Sequence, residues 1–242
     1  MKRVLKIAGV LLLAVLIAVL CYVGYVFGTY SRIEDNQALD VTHGSSGVQT
    51  AEPETDYKIL SWNIGFGAYE EDFGFFMDGG TESRAWSKER LEKNLDAIGE
   101  TAAAQDADLM LLQEVDFDSD RSYHVDEALK LRTFDGLDVS TDSVFAVNYH
   151  SAYLFYPITQ PHGASNSGLL TTSKLGIRSA VRRSLPVETG VTKLLDLDRC
   201  YSVSKIPVSN GKTLCLYNLH LSAYTSDGKI ADEQLEILLS DM

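Results

Sequence analysis

The chain has few basic residues, and this shortage argues against one common way of binding nucleic acid. Its 242 residues include 21 lysines and arginines against 34 aspartates and glutamates, for a formal net charge of −13. A domain that holds nucleic acid by neutralising phosphates with its own side chains is usually basic. The composition still allows an enzyme that approaches phosphates through a bound divalent cation.

Cysteine is scarce as well, which excludes a scaffold held by several disulfides. The three cysteines are Cys21, Cys200 and Cys215, and Cys21 lies in an apolar N-terminal segment, so only one other pair is left. The composition is 45% hydrophobic, which is ordinary for a globular protein and leaves room for one sizeable core or two small ones.

The two remaining cysteines belong to a β-hairpin predicted over 200–221. Asn210-Gly211 at its centre is the preferred sequence of a two-residue type I′ turn. Pairing around such a turn places Cys215 opposite Ile206. Cys200 and Cys215 would then lie far apart along the hairpin, beyond disulfide reach.

A long uncharged stretch lies near the N-terminus. Residues 7–28 are mostly apolar and long enough to cross a bilayer as a helix, and three basic residues precede them. Residues 25–30 offer no small-x-small cleavage site of the kind that ends a signal peptide. Because basic flanks stay in the cytoplasm, we predict a single-pass cell-membrane anchor with a cytoplasmic N-terminus and an extracytoplasmic domain.

These features divide the chain into four predicted parts. Residues 1–6 form a cytoplasmic tail, and residues 7–28 form the transmembrane anchor. Residues 29–56 are polar and lack apolar periodicity, which predicts a flexible linker. Residues 57–242 form the folded domain, which begins with a strand–helix–strand unit and is predicted to be α/β.

Polar side chains stand at the ends of several predicted strands of this domain. The stretch 106–116 is an apolar run bounded by acidic residues, typical of a buried strand, and Glu114 lies at its far end. Asn63 ends the first strand of the domain. Asn218 and His220 share one face of the hairpin, because side chains alternate along a strand.

These strand ends are candidates for a common site, because open α/β sheets carry their chemistry at the carboxyl ends of strands. The alternatives are a solvated carboxylate for Glu114 and a turn former for Asn63. A carboxylate and an amide oxygen suit Mg²⁺, with Mn²⁺ as a second choice. A histidine opposite them suits acid–base catalysis of phosphoester hydrolysis.

Three short motifs in this order resemble a known superfamily. The motifs are Ser61-Trp62-Asn63-Ile64, Leu112-Gln113-Glu114-Val115-Asp116 and Asn218-Leu219-His220-Leu221. They resemble the endonuclease/exonuclease/phosphatase superfamily, which includes pancreatic-type deoxyribonucleases, apurinic-site endonucleases, neutral sphingomyelinases and inositol-polyphosphate 5-phosphatases. The resemblance covers residues 57–242. It implies a four-layer α/β sandwich of two packed mixed sheets.

The resemblance also implies roles for four residues. Glu114 matches the metal-binding glutamate of the family, and Asn63 matches the asparagine that orients the metal-site network, so both are assigned to the metal site. His220 matches the histidine of the N-x-H-L motif, which contacts the scissile phosphate. His220 and Asn218 are therefore assigned to catalysis.

Four further residues are candidates for substrate binding. Arg199 lies in a segment that resembles the place where several family members carry an arginine near the phosphate, and the alternative is a surface salt bridge. Arg84 lies in the long loop after the first strand. Tyr149 and His150 lie on an aromatic strand, where the alternative is a place in the core. Weaker candidates are Arg121, His124 and Tyr153.

The sequence departs from the family near its end. The later family motifs, G-D-x-N and S-D-H, do not occur. Residues 230–242 predict an amphipathic helix without a stop signal, so we expect the chain to be cut within a helix. An incomplete sandwich of this kind is expected to be inactive by itself.

Two hypotheses from different classes follow. The first is a membrane-anchored, divalent-metal-dependent phosphoesterase that hydrolyses a phosphodiester or phosphomonoester outside the cytoplasm. Its substrate would be a lipid headgroup, a small phosphoester or a nucleic acid, and the motifs imply no protein partner. The second is a non-catalytic, anchored binding module that retains the fold.

Overall fold

The computed structural model describes residues 1–45, 49–137, 141–190, 193–196, 198–222 and 228–242. The helices are α1 (Lys2–Thr29), α2 (Lys88–Ala104), α3 (Glu127–Arg132), α4 (Lys193–Asp196) and α5 (Lys229–Asp241). The strands are β1 (Gln37–Leu39), β2 (Val41–Thr42), β3 (Ile59–Asn63), β4 (Leu109–Asp116), β5 (Asp142–His150), β6 (Asn166–Ser173), β7 (Ser179–Ser184), β8 (Cys200–Pro207) and β9 (Thr213–Leu219).

These strands form two sheets. The first has the order β2-β5-β6-β4-β3 and is mixed, because β3 and β4 are parallel and the other described pairs are antiparallel. Helix α2 makes the crossover between β3 and β4, as the strand–helix–strand pattern predicted. The second sheet has the order β1-β7-β8-β9 and is antiparallel throughout.

Strand β4 is buried on both faces, which explains its continuous apolar run. Leu109 and Leu111 face the second sheet and pack in a cluster with Ile206. Met110 and Leu112 face the opposite way and pack in a cluster with Leu91 and Leu95 of α2.

The second sheet is covered by the last helix. Leu238 of α5 packs with Tyr201 and Val203 of β8 in a cluster separate from the two that contact β4. The layers therefore follow the order helix, sheet, sheet, helix. The predicted α/β architecture of two packed sheets is confirmed.

The predicted flexible linker over 29–56 conflicts with the structure over part of its length. Gln37–Leu39 pairs with β7, and Val41–Thr42 pairs with β5, so this segment supplies an edge strand to each sheet. Leu39 and Val41 pack against the cluster between the sheets. Strands of two and three residues are too short to show a periodic pattern, so composition alone suggested a linker.

The predicted hairpin is present, but its register differs by one residue. Cys215 lies opposite Lys205 instead of Ile206. A type I′ turn needs a positive φ at both central residues, but only Gly211 has one, at 83°. The loop therefore contains one more residue than predicted. Cys215 is exposed, and neither cysteine of the hairpin is in a disulfide.

Helix α1 lies almost entirely outside the packed layers. Among its residues only Val26 is buried. Within the described part of the chain, α1 is the one helix long and apolar enough to cross a membrane by length and composition. The cytoplasmic placement of its N-terminus remains a prediction.

Asn218 is a buried polar residue that joins the two sheets. Its side chain is 1% exposed, and its Nδ2 donates to the Leu170 carbonyl at 3.1 Å and to Thr171 Oγ1 at 3.2 Å. It also lies 3.3 Å from the Leu112 carbonyl. Its Oδ1 accepts a hydrogen bond of 2.8 Å from Gln113 Nε2. This one amide therefore links β9 to β4 and β6.

We predict that Asn218→Leu destabilises the domain by about 1–3 kcal/mol, because the buried hydrogen bonds from Asn218 Nδ2 to β6 and its bond to Gln113 would all be lost. Chemical denaturation in detergent, followed by circular dichroism, measures the change. The control is Lys212→Leu in the exposed hairpin turn, for which about 0.5 kcal/mol or less is expected. Equal losses in the two variants would contradict the role of Asn218.

Candidate active site

Glu114 is turned out of its strand by a β-bulge. The pairing of β4 with β6 shifts register between Leu112 and Val115, and Glu114 has a positive φ of 54°. A bulge re-aims one side chain, and such features recur beside active sites. The side chain of Glu114 therefore points away from the apolar core around β4 and into a cleft.

Asn63 holds this carboxylate in place. Its Nδ2 donates to Glu114 Oε1 at 2.9 Å, and its Oδ1 accepts from the Gly65 amide at 3.0 Å. The side-chain NH2 group of Asn63 therefore points towards Glu114, and its carbonyl oxygen points towards the backbone. The structure brings both predicted metal-site residues together, but it places Asn63 as the residue that orients Glu114 instead of as a second oxygen ligand.

His220 reaches the same point from the second sheet. It follows the last residue of β9, and its Nε2 lies 3.6 Å from Glu114 Oε1. Its Nδ1 is buried and has no hydrogen-bond partner among the described residues. Burial, together with the nearby Arg199 and Arg121, lowers the pKa of His220 to about 3. The imidazole is therefore neutral near pH 7.

Asn218, assigned to catalysis with His220, has a different position. Its amide hydrogen-bonds within the interior between the sheets, as described above, and it lines neither space that contains Glu114. Asn218 and His220 both point towards β4, as expected for side chains two residues apart, although His220 lies just past the end of β9. Asn218 positions the strand that delivers His220.

Two spaces meet at Glu114 and His220. One is an open cleft of about 660 Å³ that includes Asn63. The other is a smaller cavity with two arginines and a tyrosine. Its wall includes Glu114, Arg121, Tyr149, His162, Arg199 and His220. The cavity therefore combines cationic, hydroxyl and imidazole groups beside one carboxylate, which suits an anionic ligand.

Arg199 and Tyr149, two of the residues predicted to bind substrate, lie at the wall of this cavity. The Arg199 residue is 6% exposed, which overturns the alternative of a surface salt bridge. Burial raises the pKa of the Tyr149 hydroxyl, which the nearby Arg121 and Ser151 offset only in part. Tyr149 therefore keeps its proton at neutral pH and remains a hydrogen-bond donor.

Arg121 is held by a buried carboxylate. Its Nε and Nη2 donate to the two oxygens of Asp116 at 2.9 and 2.7 Å, and its guanidinium lies 4.0 Å from the centre of the Phe66 ring. Glu127 Oε2 accepts from the Asp116 amide at 2.9 Å. Burial, and then the Asp116 charge, hold the pKa of Glu127 well above its usual value. This network fixes Arg121 at the cavity wall.

Two predicted substrate contacts lie elsewhere. His150 forms an ion pair with Asp198 through Nδ1, and that hydrogen bond raises its pKa. Arg84 Nε donates to the Pro161 carbonyl at 2.6 Å. Neither residue lines the cleft or the cavity at Glu114. The structure therefore does not bring these two residues to the site at Glu114, and their role in substrate binding stays a prediction.

His162 is a cavity residue that the motifs did not indicate. Its Nδ1 lies 3.2 Å from the Ser83 carbonyl, and its Nε2 lies 3.2 Å from Ser165 Oγ. Burial, and then the charge of Arg121, lower the pKa of His162 to about 4. The available signal in the sequence was a histidine within the uncharged stretch 151–173.

The donor set at Glu114 suits a weakly held, hydrated cation. Among the residues that the structure describes, no group of three or more His, Cys, Asp and Glu side chains could hold a metal ion. Mg²⁺ commonly takes one or two carboxylates and completes its shell with waters and substrate phosphates. Glu114, oriented by Asn63, meets that minimal requirement.

Comparison with family models and with curated protein sequences finds no match. Solved structures do resemble the chain. One is an endonuclease/exonuclease/phosphatase from Beutenbergia cavernae DSM 12333, with a TM-score of 0.52, 18% identity, and coverage of 77% of this chain and 44% of that one. The chain has the endonuclease/exonuclease/phosphatase fold.

A second protein of similar structure is ANGEL2, described as a 2′,3′-cyclic phosphatase. It has a TM-score of 0.50 and 16% identity, with coverage of 85% of this chain and 50% of that one. A complex of ANGEL2 with adenosine-2′,3′-vanadate matches at the same TM-score of 0.50. The chain thus spans half or less of the length of these solved endonuclease/exonuclease/phosphatase-fold proteins.

We predict that His162 makes the fold less stable in acid. Its folded pKa of about 4 lies below its ordinary value of 6.5, so the unfolded chain takes up the proton first. Above pH 6.5 the neutral His162 does not lower the free energy of unfolding. As the pH falls from 6.5 towards 4, the free energy of unfolding decreases. Between pH 6.5 and 5 the loss is about 2 kcal/mol, at about 1.4 kcal/mol per pH unit.

Denaturation curves across this pH range test the prediction. His162→Gln should show a smaller slope of unfolding free energy against pH than the unsubstituted protein. The control is Thr213→Gln, at an exposed residue without a titratable group, which should leave the slope unchanged. An unchanged slope in His162→Gln would show that His162 is not held neutral.

Proposed function

We propose that the chain belongs to a membrane-anchored, divalent-metal-dependent phosphoesterase that hydrolyses a phosphodiester or phosphomonoester outside the cytoplasm. The observation that carries the proposal is the meeting of Glu114, Asn63 and His220 at the ends of three strands, beside a cavity with Arg199 and Tyr149. The fold, shared with solved proteins described as phosphatases, supports the same class of reaction.

In this proposal Glu114 holds Mg²⁺ or Mn²⁺, and Asn63 fixes the rotamer of Glu114. The ion, when bound, supplies Lewis-acid polarisation of the phosphoryl group and neutralises charge. Arg199 and the Tyr149 hydroxyl bind the phosphoryl oxygens from the cavity wall. The metal ion and Arg199 concentrate positive charge at one place, so the acidic chain can bind an anionic substrate there.

His220 is proposed to act directly on the reacting group. Its neutral imidazole can accept a proton at one ring nitrogen, as a general base requires, and can donate a hydrogen bond from the other. Nε2, which lies beside Glu114, faces the position of the phosphoryl group. The buried Asn218 amide determines the position of β9 and hence of this ring.

The substrate class remains a lipid headgroup, a small phosphoester or a nucleic acid. A cyclic phosphodiester is a reasonable first test compound, because the similar protein ANGEL2 is described as a 2′,3′-cyclic phosphatase. The net charge of −13 makes bulk duplex DNA the least favoured of these substrates.

We predict that Glu114→Gln lowers kcat/KM for bis(p-nitrophenyl) phosphate by about 100-fold or more, in line with the loss of a group that stabilises transition-state charge. Excess EDTA should abolish hydrolysis, and added Mg²⁺ or Mn²⁺ should restore it. The protein expressed from the complete reading frame is assayed in detergent.

The matched control is Glu71→Gln, which removes an equal charge from an exposed loop position and should leave the activity unchanged. Activity that survives both EDTA and Glu114→Gln would contradict the proposed chemistry. Binding of orthovanadate that requires Glu114, without any turnover, would instead favour the non-catalytic binding module.

We further predict that Arg199→Gln raises KM about tenfold or more, because hydrogen bonds to charged groups contribute about 1.5–3 kcal/mol. Arg84→Gln is the matched control, since Arg84 lines neither space at Glu114. Its KM should stay near that of the unsubstituted enzyme. Equal KM values in the two variants would remove Arg199 from the phosphate site.

A further inference from the structure

The loop after β5 exposes an apolar surface that the packed layers do not explain. Phe155 is 56% exposed, Tyr156 68% and Ile158 87%. The stretch 151–173 contains no Asp, Glu, Lys or Arg, although the chain as a whole is strongly acidic. Large apolar side chains grouped on a soluble surface mark an interaction site. We call residues 153–158 the aromatic loop.

The aromatic loop lies against the C-terminal part of helix α1. The Tyr22 hydroxyl donates to the Tyr153 carbonyl at 3.2 Å and accepts from the Phe155 amide at 3.0 Å. The rings of Tyr22 and Phe155 meet edge to face, with centres 5.2 Å apart. The Tyr25 hydroxyl reaches the Tyr153 amide at 3.5 Å. The loop therefore lies at the height of Tyr22 and Tyr25 along α1.

That height corresponds to the edge of a bilayer. A hydrocarbon core about 30 Å thick takes about 20 helical residues at about 1.5 Å each. A span that begins at Ile7 thus ends near Val26, and Tyr22 lies one helical turn inside that limit. Tyrosines concentrate at the boundary between hydrocarbon and headgroups. A loop in contact with Tyr22 must lie in that boundary layer.

We propose that the aromatic loop inserts into the outer leaflet of the bilayer as a second point of membrane contact beside α1. The partner is a lipid surface, and zwitterionic lipid suffices, because the loop carries no charge that would bind an anionic headgroup. This proposal rests on the anchoring of α1 that belongs to the proposed function. The contact is hydrophobic and is therefore insensitive to salt.

The same loop is connected by aromatic contacts to the candidate active site. The Tyr156 ring lies 5.7 Å from that of Phe76, and Phe76 lies 5.8 Å from the ring of His162. His162 in turn lines the cavity with Arg199 and His220. Insertion of the loop places this cavity close to the headgroup layer.

Fluorescence quenching by brominated lipid tests the insertion. The full chain, with Cys21→Ala and Cys215→Ser so that buried Cys200 alone remains, is reconstituted into phosphatidylcholine vesicles. A bimane probe is attached at Ile158→Cys in the loop, at Lys212→Cys in the exposed hairpin turn, or at Val15→Cys in α1. Brominated acyl chains should quench the probe at position 158 several-fold more than the probe at 212, at low and high salt alike.

The three positions separate the two proposals. Quenching at 15 with equal, weak quenching at 158 and 212 would overturn loop insertion and leave the anchor intact. Quenching at 158 without quenching at 15 would overturn the anchor, and with it the proposal of a second contact beside α1. Absence of quenching at both 15 and 158 would overturn both, and loss of the signal at 158 in high salt would overturn the hydrophobic character of the contact.

Discussion

The candidate site depends on one buried side chain that touches nothing in the cleft. Asn218 uses its amide to connect β9 with β4 and β6, and this connection sets the distance between the strand that carries Glu114 and the strand that leads to His220. Buried polar groups are costly unless they are fully hydrogen-bonded, so such an amide favours one relative placement of the two sheets. The 3.6 Å separation of His220 from Glu114 follows from that placement.

The surrounding charged groups are also positioned by polar contacts, which are buried for Arg121 and exposed for Glu114. Asp116 holds Arg121 with two hydrogen bonds, and Asn63 holds Glu114 with one. Each contact fixes a charged side chain before any ligand is present, which reduces the entropy lost when an anion binds. Burial keeps the His220 ring neutral and the Tyr149 hydroxyl protonated beside Arg121. The site is therefore preorganised for an anionic ligand.

Much of this arrangement was readable from the sequence because it depends on strand ends. Asn63 ends β3 and lies opposite Gln113 of the parallel β4, so its proximity to the next residue, Glu114, follows from the topology. The bulge that turns Glu114 into the cleft has no periodic pattern in the sequence. Tyr149 and His150 could not be separated in this way, because a bulge in β5 between Val147 and Tyr149 resets which side chain faces the cavity. Arg84 lies in a loop, whose direction no periodic pattern determines. The register of the β8–β9 hairpin depended on whether φ at Asn210 was positive.

The distance along the chain between the two halves of the site has a consequence for folding. Gln113 and Asn218 are 105 residues apart in sequence, whereas the β8–β9 hairpin closes through a local turn. Contacts between distant residues form late, since the entropy of closing a long loop must be overcome first. The hairpin can therefore form early, while Glu114 and His220 come together only after both sheets are assembled. Partly folded chains would thus have sheet structure but no organised cleft, so a ligand for the cleft would act as a selective probe of the completed fold.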